Sequence, residues 1–372
     1  MGSLKLVDIT FHANTEYPDT EALIKAQQSS LNYVPVIKDK LQIEVIKHLD
    51  NPQTLLKEQT GFRFFHAKNY FFYIPFQTLR YLKNRQPDIV LVQGLQFPFQ
   101  ILVMKWFLIK KTKIIVKHHA DHPPKWPKKI FQKIADRYTD TYLFTSLGNA
   151  KEWVDTGSIS NFEKVYELPA TYTSFSKLDK AAAQQKLGMH AGLHYLWVGR
   201  LDANKDPMTV LSAFEKFTGD HPGTSLHFIY QSAECLPQMN QWIAAHPFLA
   251  DFIFLHGYIP YAELPIWYSA ADFYISASHR EAGSAGLLEA MSCGCIPIVS
   301  SIPPSLKVIS DGKFGLYFEP GNAVELAGQL TDSVSIPYEQ FSKEVRSHFE
   351  KEYSLPAITE KLYQLCVALT AV

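Results

Sequence analysis

Ser278-His-Arg-Glu-Ala-Gly-Ser-Ala-Gly-Leu-Leu-Glu-Ala-Met-Ser-Cys-Gly-Cys-Ile-Pro-Ile-Val-Ser300 sets two carboxylates, Glu281 and Glu289, around a turn of small residues that opens a helix. The preceding run Asp272-Phe-Tyr-Ile-Ser276 has the composition of a strand, Ala277 to Ser284 that of a loop, and Ala285 to Met291 that of a helix. Backbone N–H groups at such a helix start, backed by the positive end of the helix dipole, bind phosphate oxygens without a cation. Gly283, Ser284, Ala285, Gly286 and Leu287 would offer them, and the stretch reads as a site for a phosphorylated sugar.

Upstream, Tyr195-Leu-Trp-Val-Gly-Arg-Leu-Asp-Ala-Asn-Lys-Asp-Pro207 runs from an apolar strand through Gly199 into a polar loop with Arg200 and Lys205. Arg grips phosphate oxygens bidentately and Lys adds a point charge, so the pair suits a departing diphosphate. Surface charges beside a helix start at Pro207 are the plain alternative for these two cations, as a solvated loop acid is for Glu281 and an ordinary helix acid for Glu289.

Working outward, short apolar runs alternate with helical patterns along the whole chain. Leu4–Phe11, Leu41–Leu49, Asp88–Val92, Lys113–His118, Thr141–Thr145 and Lys164–Leu168 read as strands of a first half. Tyr195–Val198, Ser225–Tyr230, Phe252–Leu255, Phe273–Ser276, Ile296–Val299 and Gly315–Phe318 read as strands of a second. Alternation of this kind implies parallel sheets covered by helices, and two sets imply two Rossmann-like α/β domains. Their expected extents are 1–170 and 178–352, with a polar hinge at Pro169–Lys177 between them and a terminal helix in 353–372. At 372 residues, two cores are also what length predicts.

The two quoted segments, together with Ile302-Pro303, Asp311-Gly312 and Gly315-Leu316, resemble the family-four retaining glycosyltransferases of GT-B fold. The likeness is close over about residues 190–330 and one of layout elsewhere. It implies two Rossmann-like domains facing across a cleft, with the terminal helix crossing back to the first. It further implies that Arg200 and Lys205 hold the donor diphosphate, Glu281 the hydroxyls of the donor sugar and Glu289 the ribose. Backbone groups of Gly257, Tyr258 and Ile259 would read the base. In the N-terminal domain, which would bind the hydroxyl acceptor, the family places a histidine beside the transferring sugar; His119 is the first choice and His118 the second. Retention would follow a front-face route in which the departing phosphate helps deprotonate the acceptor.

Two departures from the family pattern stand out. Ala282 to Ser284 replace its more usual Gly-Phe-Gly, and its glycine-rich loop after the first strand is here Phe11-His-Ala-Asn-Thr-Glu-Tyr-Pro18, where Asn14 and Thr15 would supply side-chain donors instead. An enzyme of the same fold, a nucleotide-sugar epimerase or glycosyl phosphorylase, would need similar cations. A catalytically silent sugar-nucleotide-binding protein would keep the pocket without turnover.

Charge and composition bound the rest. Lys+Arg and Asp+Glu balance at 36 each, but residues 1–170 hold 23 basic against 16 acidic side chains and residues 171–372 hold 13 against 20. The basic first half suits an anionic acceptor or membrane. Lys110, Lys111, Lys113, Lys117, Lys125, Lys128 and Lys129 surround Trp126, and Phe62–Phe76 is dense in aromatics. These read either as a peripheral bilayer or acceptor surface or as solvated helix ends and core rings. No nucleic-acid motif accompanies them. A zinc reading of His118, His119 and His122 is weakened because neighbours on a strand point to opposite faces. No Asp-x-Asp occurs, so no metal and no cofactor is expected, the sugar nucleotide being a substrate. Cys293 and Cys295 read as small buried residues at a helix-to-strand turn. The apolar region Ile89–Ile109 is interrupted by Gln93, Gly94, Gln96, Pro98, Gln100 and Lys105 and reads as strand, loop and helix rather than a membrane span. No signal peptide precedes the first strand, so a cytoplasmic enzyme is expected, with the inner face of the membrane as its peripheral contact.

Overall fold

The computed structural model describes residues 3–17, 19–27, 31–49, 61–119, 122–169, 173–281, 283 and 285–371. Ser284, expected at the helix start, lies outside them, as do Ala282 and residues 170–172 of the expected hinge.

The chain divides into two units, Met1–Tyr172 with Leu355–Val372, and Thr173–Ser354. The first carries a seven-stranded parallel sheet. Its strands are β1 (Lys5–Asn14), β2 (Gln42–Leu49), β3 (Phe62–His66), β4 (Ile89–Gln93), β5 (Lys113–Lys117), β6 (Thr141–Phe144) and β7 (Val165–Glu167), in the order β3-β2-β1-β4-β5-β6-β7. The second carries β8 (Leu193–Gly199), β9 (Thr224–Tyr230), β10 (Ile253–Gly257), β11 (Phe273–Ser276), β12 (Ile296–Ser300) and β13 (Leu316–Phe318), in the order β10-β9-β8-β11-β12-β13. Each sheet thus reverses its winding once, between β1 and β4 and between β8 and β11. Ligands of open α/β sheets bind outside the carboxyl ends of the strands at that reversal.

Central strands such as Ile89-Val-Leu-Val are buried on both faces because helices cover a parallel sheet on both sides. In the first unit Val7, Ile9, Val90, Val92 and Phe144 face one core. Leu6, Val45, Ile89, Leu91 and Ile115 face another, closed by Tyr33, Ile37 and the side chains Ile358, Leu362 and Cys366 of the terminal helix Leu355–Thr370. That helix therefore belongs to the first unit's core. Pro297 is tolerated inside the second sheet for a local reason. The Ile296 N–H bonds Asp272 O, so the Pro297 ring faces the β13 side, where pairing starts only at Ile298.

For one aromatic run the structure decides between the two readings. Phe62–His66, the start of the aromatic region that reads either as a surface or groove or as core rings, is the edge strand β3, and its rings pack inward. Phe64 packs on Leu23 and Leu49, and Phe65 on Tyr81. Ile89–Ile109 resolves into β4 and the helix Pro98–Phe107, and no helix among the described residues is long and apolar enough to cross a membrane.

Candidate functional site

In the second unit, β8 and β11 are neighbours at the winding reversal, so the loops that leave their carboxyl ends meet. Backbone and side chains stitch them together. His279 N donates to Asn204 O at 2.8 Å, Asn204 Nδ2 donates to Arg280 O at 3.1 Å, and His279 Nε2 lies 3.0 Å from Asp206 Oδ2. Asp206, at φ +45°, caps the helix Pro207–Thr218 through Thr209 N. The result places the Lys205 ammonium in an ion pair with Glu281, whose Oε1 also accepts from Ser278 Oγ at 2.8 Å. Arg200 is paired with Asp202 at 3.0 Å and is mostly exposed. Arg200, Lys205 and Glu281, picked from two distant stretches of sequence, thus stand on two interlocked loops.

The helix Ala285–Ser292 begins directly after this loop and carries Glu289 inward. Its carboxylate is buried and accepts from Tyr268 Oη at 3.0 Å and from Tyr261. Burial raises its pKa, and the two hydroxyls oppose that rise. A Cβ at Gly286 would stand 2.5 Å from Tyr274 Oη, so the start of this helix lies close against the sheet and a larger residue there would have to displace the Tyr274 ring. Leu287 is fully buried in the core and has only its backbone to offer an anion, while Gly283 lies in the loop. Cys293 and Cys295 are free and buried at the turn into β12, and burial raises both thiol pKa values, that of Cys293 to about 11.

At the end of β10, Gly257 takes φ +70°, Tyr258 is exposed and Ile259 is half-buried. The structure adds something that sequence reading missed. His194, His227 and His256 form a ring-to-ring chain across β8, β9 and β10, with nitrogens 3.1 and 3.0 Å apart. His194 Nε2 lies 2.9 Å from His190 O, which only accepts, so it carries the proton. The tautomers then follow in turn: His227 and His256 are both Nε2–H, leaving His256 Nδ1 as an acceptor beside Gly257. Burial lowers the pKa of all three, that of His227 to about 3, so the chain is neutral.

In the first unit His119 is exposed at the end of β5 while protein crowds its other side. That desolvation, with the charge of Lys117, holds its pKa down to about 3. His119 Nε2 lies 2.8 Å from Gln93 Oε1, and Gln93 Nε2 donates to the buried Asp8 at 2.8 Å. Behind them stands Lys117, its pKa lowered to about 8 by burial, with Asp8 opposing and Lys47 adding to the shift. His118 points to the opposite face and stacks on Phe144 at 4.6 Å. His122 is exposed, 3.8 Å from Glu152. No group of three metal-ligating side chains occurs among the described residues. Asn14 uses its amide to tie β1 to β2 through His48 O at 3.0 Å, and Thr15 is exposed in the loop beyond.

Residues 180–350 match the family model described as glycosyl transferases group 1. Among curated proteins, the chain is 23% identical over 245 residues to the D-inositol 3-phosphate glycosyltransferase of Streptosporangium roseum, a match spanning 63% of this chain and 56% of that one. A second such enzyme, from Thermobispora bispora, is 26% identical over 44% of this chain and 40% of its own length. The chain thus spans about half the length of these relatives. Among solved structures, Anabaena HepE in complex with UDP superposes with a TM-score of 0.74 at 13% identity, covering 98% of this chain and 100% of that one. Sucrose-phosphate synthase from Thermosynechococcus elongatus gives 0.72 at 15%, covering 99% of each. The fold is that of the GT-B proteins.

Proposed function

We infer that this chain, which has the GT-B fold and whose residues 180–350 match the glycosyl transferases group 1 model, transfers a sugar from a nucleoside-diphosphate sugar to a hydroxyl acceptor with retention of configuration. The observation that carries the reading is the pairing of Lys205 with Glu281 on interlocked loops at the winding reversal, directly before the helix Ala285–Ser292. On this reading Lys205 leaves Glu281 for the diphosphate when donor binds. Arg200 swings to the same phosphates, and Glu281 turns to the hydroxyls of the sugar whose bond breaks. Backbone groups of Gly283, Ser284 and Ala285 to Leu287 meet phosphate oxygens, Glu289 meets the ribose, and Gly257 to Ile259 meet the base. No metal and no cofactor takes part, because cations and a helix end supply the electrostatic stabilisation. In the first unit His119 serves the transferring sugar.

A thermal-shift screen against sugar nucleotides tests the reading, since a ligand that binds only the native state raises Tm. HepE is solved with UDP and with UDP-glucose, which makes uridine donors the first to try. A rise with one donor class supports the reading, and no rise with any removes it. Proton NMR of the product's anomeric signal decides retention.

The first unit also carries a surface suited to peripheral contact with the inner face of an anionic membrane. Trp106 is 88% exposed and Ile109, Ile130 and Ile134 are exposed too, among Lys110, Lys111, Lys129 and Lys133. Co-sedimentation with phosphatidylserine vesicles, lost in Trp106→Ala/Ile130→Ser, is the expected result. Equal sedimentation of wild type and variant would discard this contact.

A further inference from the structure

Two adjoining cavities open in the first unit, of about 320 and 450 Å³, and share Phe71, Gln96 and Lys128. The smaller is built where the winding of the sheet reverses, from the end of β1 (Phe11, His12), the segment after β3 (Ala67 to Pro75) and the start of the helix Pro98–Phe107. Its shape is fixed by side-chain amides. Asn69 exchanges both its hydrogen bonds with Ala13, at 2.7 and 2.8 Å, and Gln100 Nε2 donates to the carbonyls of Phe71 and Tyr73 at 2.9 and 3.1 Å. Gln100 is 5% exposed, yet its Oε1 has no hydrogen-bond partner among the described residues. A buried amide oxygen left in that state is costly, and a donor from a ligand would relieve it.

The remaining lining has a consistent chemistry. Tyr70, Phe71 and Trp126 offer ring faces, Tyr70 69% and Trp126 80% exposed. Lys68, Lys125 and Lys128 are the charged side chains of the two linings apart from the histidines His12 and His122, and neither lining contains a carboxylate. Lys128 Nζ sits 5.0 Å from the Phe71 ring centre, between the two cavities. Aromatic planes edged by polar groups fit a saturated ring with an apolar face and a hydroxyl rim, and an acid-free lysine lining favours an anion.

Resting on the transferase reading above, we propose that this double cavity is the acceptor site and that the acceptor is an anionic saccharide of two or more rings. One ring lies in the smaller cavity with a hydroxyl donating to Gln100 Oε1. The chain continues past Lys128, which meets the acid group, onto Trp126.

Isothermal titration of the full chain without donor tests this with trigalacturonate as the anionic probe, maltotriose as its neutral counterpart of equal length and galacturonate as a single ring. Trigalacturonate is expected to bind saturably, with maltotriose and galacturonate at least about tenfold weaker. Tyr70→Ala and Lys128→Ala should each weaken trigalacturonate about tenfold, Lys128→Arg should restore it, and Trp106→Ala, outside both cavities, should leave it unchanged. Equal affinity for trigalacturonate and maltotriose, no binding of trigalacturonate, or indifference to both Tyr70→Ala and Lys128→Ala would overturn the proposal, as would a loss confined to Trp106→Ala, the mark of the flat surface. Thermal shifts with UDP on the same samples keep the two readings apart. A nucleotide shift without trigalacturonate binding sinks only the acceptor proposal, and the reverse sinks only the donor reading.

Discussion

Lys205 and Glu281 are ion-paired across the loops that leave β8 and β11, 76 residues apart in sequence and held in place by the Asn204–His279 and Asn204–Arg280 hydrogen bonds. A cation and an acid that neutralise each other without ligand are free to part when a diphosphate and a sugar arrive.

Non-additivity is the signature of such a pair. Lys205→Met and Glu281→Gln are each expected to lower turnover by roughly 10- to 1000-fold, on the usual scale for lost transition-state charge stabilisation. Arg200→Ala removes a mostly exposed side chain and leaves Asp202 with its hydrogen bond from Lys205 N, so turnover should fall in the same range with little change in Tm. The double variant should lose much less than the product of the single losses, because each change spoils the other's partner. Steady-state rates for the four proteins check this, and strictly multiplicative losses would separate the two residues.

Glu289 and Glu281 should fail in different ways. Glu289→Gln keeps shape beside Tyr268 and Tyr261 but removes the charge that, on the proposed reading, would grip ribose equally in ground and transition states, so donor KM should rise while kcat holds. Glu281→Gln would, on the same reading, act where positive charge develops and should mainly lower kcat. Equal effects on KM alone at both positions would take Glu281 out of the chemistry.

Chelation provides a third check. If Arg200, Lys205 and a helix end face the diphosphate as proposed, turnover is expected to persist in excess EDTA. Complete loss, restored by magnesium or manganese, would contradict this.

The histidine chain makes stability depend on acidity. His227 has its folded pKa lowered to about 3, and those of His194 and His256 are lowered too, whereas unfolded histidine titrates near about 6.5. Acidification therefore protonates the unfolded chain first, and stability present above pH of about 6.5 falls on the way down, by at most about 1.4 kcal/mol per pH unit for each histidine. Urea denaturation from pH 7.5 to 5 should show this slope, and His227→Phe should flatten it. An unchanged slope in His227→Phe would show that its ring does not govern the acid sensitivity.

What sequence could and could not reveal follows from where each signal is written. Buried parallel strands such as Ile89–Val92 and Phe273–Ser276 are continuous apolar runs, legible one strand at a time. Phe62–His66 is the edge strand of its sheet among the described residues, and its aromatics alone do not separate a surface from a core. Arg200, Lys205 and Glu281 were legible because their spacing is local to two loops that the winding reversal brings together. The His194–His227–His256 chain was not, since it runs diagonally over three strands and exists only through their register. Gln100 was equally silent: in sequence it is one polar interruption of an apolar helix, and only its partners show one amide atom spent and the other waiting.

The most direct test of the central claim is release of nucleoside diphosphate from a panel of UDP-, GDP- and ADP-sugars, measured for the wild-type chain and for Lys205→Met. Slow release from one donor class, reduced roughly 10- to 1000-fold in the variant, is the predicted result. Release from none, or release that Lys205→Met leaves unchanged, would contradict the assignment of this site to sugar transfer.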